Sequence, residues 1–219
     1  MYEHRKASIL FVSFGAVSDY MNIDELTSLP DVYSEVRQRI DHYDGYINKV
    51  DMGDKGSKFL ITFGVPRSHE DDGERAVGAA EDLMELSRKR SIPMAIGINT
   101  GVIFSGILGS QQRCEFTVMG DDVNLAARLM QLAERDRIVL SEGTKKAAPS
   151  YSYQALPPTT VKGKKEPISI FIPQKRGEGQ TIQSQFFVGR TEELRNAIEF
   201  LDSQRDRKST RLNSSHGKL

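Results

Sequence analysis

SIPMAIGINTGVIFSGILGSQQ, residues 91–112, contains no Asp, Glu, Lys or Arg. By count alone the run is long enough to span a bilayer as a helix. Its contents argue for something else. It holds Pro93, Asn99, Thr100, Ser105 and four glycines. Asn99-Thr100-Gly101 sits in its middle as a turn signal, flanked by IPMAIGI and VIFSGIL. Two β-rich runs around such a signal predict a hairpin turning at residues 99–101, not a membrane span.

Outward from this run the pattern alternates between strands and amphipathic helices. Before it, residues 70–89 place Ala76, Val77, Ala80, Leu83, Met84 and Leu86 on one helical stripe. The acids Glu70, Asp71 and Asp72 suit that helix's positive end. Further back, KFLITF (58–63) and YINKV (46–50) flank DMGDKGS, a turn dense in Gly and Asp, and so form a second hairpin. Residues 23–43 carry Leu26, Leu29, Val32, Val36 and Ile40 at helical spacing, with Asp24 placed to cap. SILFVSF (8–14) is a buried strand.

After the run come a short strand (115–119), a helix within GDDVNLAARLMQLAE (120–134), a strand (137–140) and a short helix capped by Ser141. Residues 151–162 and 167–172 read as a closing strand pair around Lys162-Gly163-Lys164-Lys165. Strands joined mainly by hairpins, with helices laid on one face, predict an α+β fold on an antiparallel sheet.

Composition narrows the function classes. Lys plus Arg and Asp plus Glu are 30 each, so there is no electrostatic reason to expect bulk nucleic-acid or anionic-membrane binding. The single cysteine, Cys114, excludes an internal disulfide framework and suits a reducing cytosol. The N-terminus lacks the long apolar segment of a signal peptide. Beyond Pro173 the chain turns polar. Residues 174–185 read as a linker, and 186–205, opening with FFVGRTEEL, as the start of a second module. Residues 206–219 read as a disordered tail, in which 206–216 resembles translated sequencing adapter.

The chemistry concentrates in residues 120–134. Asn124 and Arg128, four apart, share a helix face beside Ala126 and Ala127. An arginine fork suits phosphate oxygens, and an asparagine suits a sugar oxygen or hydroxyl. The alanines would let a ligand or another chain come close, and Asp121 or Asp122 would cap the start. Taken alone, this face is equally well a surface Asn and an Arg paired with an acid such as Glu134.

Further motifs resolve the choice. SILFVSFG, GYINKVDMGDKGSKFLITFG, HEDDGERAVGAAEDLM, IGINTGVIFSGILG and FTVMGDDVNLAARLMQLAE recur in this order. Together they resemble the class III nucleotidyl cyclases, over about Arg5 to Pro173. The likeness is greatest to the second of two tandem domains in soluble, bicarbonate-responsive-type adenylate cyclases. There a P-loop ATPase module follows, which FVGRTEEL resembles.

The resemblance implies a ferredoxin-like βαββαβ core with added C-terminal strands, working as a dimer with active sites at the interface. It implies a cytoplasmic enzyme making cyclic AMP and pyrophosphate from ATP in intracellular signalling. Lys49 falls at the base-selecting lysine. An ammonium only donates, which suits adenine N1 and not the guanine N1–H, so a guanylate cyclase is disfavoured. Thr117 falls at the second base-selecting position, and the Val118 backbone also meets the base. Asn124 matches the ribose-orienting residue. Arg128 matches the arginine that stabilises charge on the α-phosphate.

One motif departs from the family. Ser13 stands where the metal-binding half carries its first aspartate, and a hydroxyl is a poor ligand for Mg²⁺ or Mn²⁺. Asp54 is a doubtful counterpart of the second aspartate, offset by one residue, and Asp51 is nearby. Both read as turn residues. The expectation is a base- and ribose-recognising half whose metals are held by another cyclase domain, placed upstream in an intact protein. The isolated chain would then have little or no activity. The alternative is a degenerate cyclase homology domain that binds nucleotide or dimerises to regulate an attached ATPase.

Overall fold

The computed structural model describes residues 2–14, 29–53, 56–109, 114–164 and 166–174. The expected linker, second module and tail lie outside them, as do Asp24 and Asp54. Eight strands and four helices follow in order. They are β1 (Tyr2–Phe14), α1 (Leu29–His42), β2 (Tyr46–Gly53), β3 (Gly56–Phe63), α2 (Asp72–Arg90) and β4 (Met94–Gly109). Then come β5 (Cys114–Met119), α3 (Asp121–Leu132), β6 (Arg137–Ser141), α4 (Glu142–Ala147), β7 (Ser152–Thr159) and β8 (Ile168–Gln174).

The strands form one open sheet in the order β2-β3-β1-β4-β6-β8-β7, with β5 hydrogen-bonded to β4. All pairs are antiparallel except β4 with β6. The run β1-α1-β2-β3-α2-β4, with β1 and β3 central, is the ferredoxin-like core. The fold is therefore α+β, as expected.

Alternation along β1 divides the core in two. Leu10, Val12 and Phe14 join a layer with Val36 and Ile40 of α1 and with the whole predicted stripe of α2. Ala7, Ile9 and Phe11 face the other way, towards Val123 and Ala126 of α3. Helices thus cover both faces. The expectation of one helical face holds for α1 and α2 and fails for α3. That helix links β5 to β6 and buries its own apolar stripe on the reverse side. Each fully buried Val, Leu, Ile, Phe or Met side chain in these layers contributes about 1.5–3 kcal/mol relative to exposure.

The larger correction concerns residues 91–112. There is no turn at residues 99–101. β4 runs unbroken past them, and β1 pairs with it from Phe14↔Met94 to Tyr2↔Gly106. Asn99 lies mid-ladder opposite Ile9, and Gly101 opposite Ala7. The hairpin turns later, and β5 returns along the far half of β4. Asn and Gly favour turns when their side-chain needs are met locally. Here Asn99 meets them through tertiary partners, and Gly101 is needed for space.

Candidate active site

α3 is seated on β4 by close contact and by one carboxylate. A Cβ on Gly97 would lie 2.1 Å from the Met130 nitrogen and 2.3 Å from the Ala126 oxygen, so glycine lets the helix backbone rest directly on the strand. Ala126 is fully buried in this contact. The alanine therefore admits the protein's own sheet rather than a ligand. Gly120 is the N-cap and no side chain caps the helix. Asp122 turns instead to β4, where its Oδ1 accepts from Asn99 Nδ2 at 3.0 Å and its Oδ2 from the Val102 N–H at 3.0 Å. A Cβ on Gly101 would collide with this carboxylate at 2.2 Å.

Asn99 extends the clamp inward. Its Oδ1 accepts from Ser141 Oγ at 2.6 Å, and Ser141 caps α4 by accepting from the Thr144 N–H at 3.3 Å. Thr144 Oγ1 is 3.2 Å from Thr100 Oγ1, which is 2.7 Å from Ser8 Oγ. These groups are all buried, so the network is a satisfied polar core that fixes α3 and α4 relative to β1 and β4.

On the helix so placed, Asn124 is exposed and Arg128 half-buried. Glu134 does not take Arg128; it pairs with Arg137 at 3.2 Å. Among the described residues Arg128 has no carboxylate partner. Its guanidinium lies beside the β7–β8 turn, where a Cβ on Gly163 would be 3.5 Å from both Nη atoms. The turn closes through Lys164 N–H to Val161 O at 3.1 Å and brings Lys162 and Lys164 to the same neighbourhood.

Lys49 and Thr117 come from two other strands, β2 and β5. Those strands meet where Asn48 Nδ2 donates to the Phe116 carbonyl at 3.0 Å and Tyr46 packs edge-on against Phe116 at 5.8 Å. Lys49 and Thr117 each follow one partner of that hydrogen bond. Lys49 is exposed, Thr117 half-buried and Val118 buried. A cleft of about 620 Å³ opens beside Asp122, Leu125 and Lys164, but it contains none of Lys49, Thr117, Asn124 or Arg128. Of those four, Lys49 and Asn124 are exposed and Thr117 and Arg128 half-buried.

Ser13, on β1, pairs with Lys58 of β3, which pairs with Asp51 of β2. Directly opposed Cβ atoms are about 4.5–5.5 Å apart, so the residue facing Ser13 across the ladder is a lysine and not a carboxylate. A neutral hydroxyl opposite a lysine offers a hard dication no carboxylate. Among the described residues no group of three His, Cys, Asp or Glu is placed to hold a metal ion. The residues at the first-strand position do not fit a two-metal site.

Residues 1–174 match the adenylate and guanylate cyclase catalytic domain family. The chain belongs to that family. Adenylate cyclase type 10 of Homo sapiens is 32% identical over 169 residues, which is 74% of this chain and 10% of that protein. The cyclase domain therefore spans about a tenth of the length of this relative. Among solved structures, the guanylyl cyclase Cya2 is 27% identical with a TM-score of 0.70, covering 82% of this chain and 96% of its own. The adenylyl cyclase CyaB from P. aeruginosa shares the fold at 23% identity and a TM-score of 0.72, covering 83% and 100%. No helix among the described residues of the cyclase domain is long and apolar enough to cross a membrane.

Three features escaped the sequence reading: the Asn99–Asp122 clamp, Gly163 beside Arg128, and the Asn48 link. The first two depend on contacts distant in sequence. The third had a local signal, because Ile47 and Val50 are three apart in a strand that should alternate.

Proposed function

We propose that this domain is the base- and ribose-recognising half of an adenylate cyclase, converting ATP to cyclic AMP and pyrophosphate at an interface with another cyclase domain. The observation that carries the reading is Arg128. It has no carboxylate partner among the described residues, and it stands beside a lysine-bearing turn on a helix locked to the sheet. Lys49 donates to adenine N1 and Thr117 accepts from the adenine amino group. Asn124 orients the ribose, so that the 3′-oxygen faces the α-phosphate. Arg128 stabilises the charge that grows there in the transition state, a contribution of about 3 kcal/mol for one well-aimed donor.

The exposure of Lys49 and Asn124 suits a site closed by a second domain. The exposed apolar residues Val102 and Met119, from the β4–β5 hairpin, suit the same contact. The divalent cation, Mg²⁺ or Mn²⁺, belongs to that partner, because Ser13 offers no carboxylate for it in the first strand. The role is intracellular signalling, in a cytosolic setting consistent with the single cysteine.

The test is cyclase activity of the chain combined with a cyclase domain that retains both metal-site aspartates. Arg128→Ala should lower kcat by about a hundredfold or more, and Lys49→Glu should weaken use of ATP relative to GTP. Activity indifferent to Arg128 would favour the second reading, a degenerate domain that binds nucleotide or dimerises to regulate an attached ATPase. The Ser13–Lys58 pair is what keeps that reading in play.

A further inference from the structure

Within β2, Tyr46 pairs with Thr62 and Ile47 with Ile61, but Lys49 pairs with Leu60. Asn48 has no partner, so it is the extra residue of a β-bulge. The consequence for side-chain direction is definite. Ile47 and Val50 both pack against the layer under α1 and α2. Strict alternation would have sent Lys49 into that layer together with Ile47. The inserted residue reverses the step, and Lys49 instead shares the face of Leu60, on the α3 side. The bulged Asn48 reaches across to β5 and donates to the Phe116 carbonyl at 3.0 Å.

We infer that Asn48 is a positioning residue for base selection. It turns Lys49 out of the core layer and ties the strand carrying Lys49 to the strand carrying Thr117. The inference rests on the reading of Lys49 and Thr117 as base-selecting. Asn48 itself touches no base. Its amide sets the separation of the two strands, and so decides whether one purine can meet both residues. Phosphate contacts, made from α3 and the β7–β8 turn, are independent of this seam.

Isothermal titration of the 219-residue chain with ATP, GTP and inorganic pyrophosphate separates these roles. Wild type should prefer ATP, and Lys49→Glu should lose that preference, which checks the base reading by itself. Asn48→Leu should lower the ATP-to-GTP preference about tenfold, the scale of one hydrogen bond, with pyrophosphate affinity unchanged. Asn48→Asp, which keeps the shape but sets a carboxylate against the Phe116 carbonyl, should do the same if the leucine variant folds poorly. Asn48→Gln, which keeps the donor, should restore part of the preference.

An unaltered preference in both Asn48→Leu and Asn48→Asp, while Lys49→Glu loses it, overturns the inference and leaves the base reading standing. Equal loss of ATP, GTP and pyrophosphate binding assigns Asn48 a merely structural role, and also overturns it. No preference in wild type, or an unchanged one in Lys49→Glu, removes the base reading and this inference with it.

Discussion

Gly97→Ala adds one carbon where α3 rests on β4. The new Cβ would lie 2.1 Å from the Met130 nitrogen, 2.3 Å from the Ala126 oxygen and 2.8 Å from the Leu129 carbonyl carbon. All three are backbone atoms, so no rotamer change relieves the contact. The helix must retreat by more than an ångström to reach ordinary van der Waals distance. Overpacking of this kind costs about 1–3 kcal/mol, and a backbone collision belongs at the upper end. For a chain of this length that is a fall in melting temperature of roughly 6–12 °C. Asn124 and Arg128 ride on the displaced helix, and a shift on this scale can cost about a hundredfold in rate. Circular dichroism melting of the whole chain, with cyclisation measured beside a metal-binding partner domain, reads both effects. Gly101→Ala is the instructive contrast. Its Cβ meets the Asp122 carboxylate, a side chain, at 2.2–2.6 Å. Asp122→Ala should therefore relieve part of the Gly101→Ala cost, whereas no side-chain truncation should rescue Gly97→Ala. A Gly97→Ala protein melting within about 2 °C of wild type would refute the close seating of α3.

Asn99→Leu puts an apolar side chain into the buried polar network and removes one hydrogen bond each from buried Ser141 Oγ and half-buried Asp122. It should destabilise the domain by about 2–4 kcal/mol in urea unfolding, far more than an apolar replacement at a turn would. Arg90 donates to Glu35 with Nε to Oε1 at 2.9 Å, and that hydrogen bond holds the Glu35 carboxyl below its ordinary range. A carboxyl lowered in the folded state stabilises fully above its unfolded value and loses that contribution as pH falls through the lowered one. Arg90→Ala should therefore melt below wild type at neutral pH and converge with it as pH falls through the lowered Glu35 value. A difference that persists undiminished in acid would show that Arg90 acts by packing, not charge.

Local pattern was sufficient wherever one residue type meets one need. The α2 stripe, the Ser141 cap and the strand–turn–strand of β2 and β3 are set by periodicity and turn chemistry within a few residues. The same is true of the face shared by Asn124 and Arg128, which follows from helical spacing alone. Asn99-Thr100-Gly101 shows where this logic ends. In isolation the tripeptide satisfies itself in a turn. In the protein β1 supplies a ladder along its full length, and Asp122 with Ser141 supplies the side-chain partners, so an extended strand wins. Ala126 failed for a similar reason, since a small residue reports that something approaches closely without saying what.

By itself the sequence determined an α+β domain, and its resemblance to the class III cyclases pointed to Lys49, Thr117, Asn124 and Arg128, because ordered motifs are legible in a linear chain. Only the tertiary structure decided which face α3 covers, why Gly97 and Gly101 must lack a side chain, and that Asn48 bulges to turn Lys49 away from the core. Those outcomes depend on hydrogen bonds and excluded volume between segments far apart in the chain.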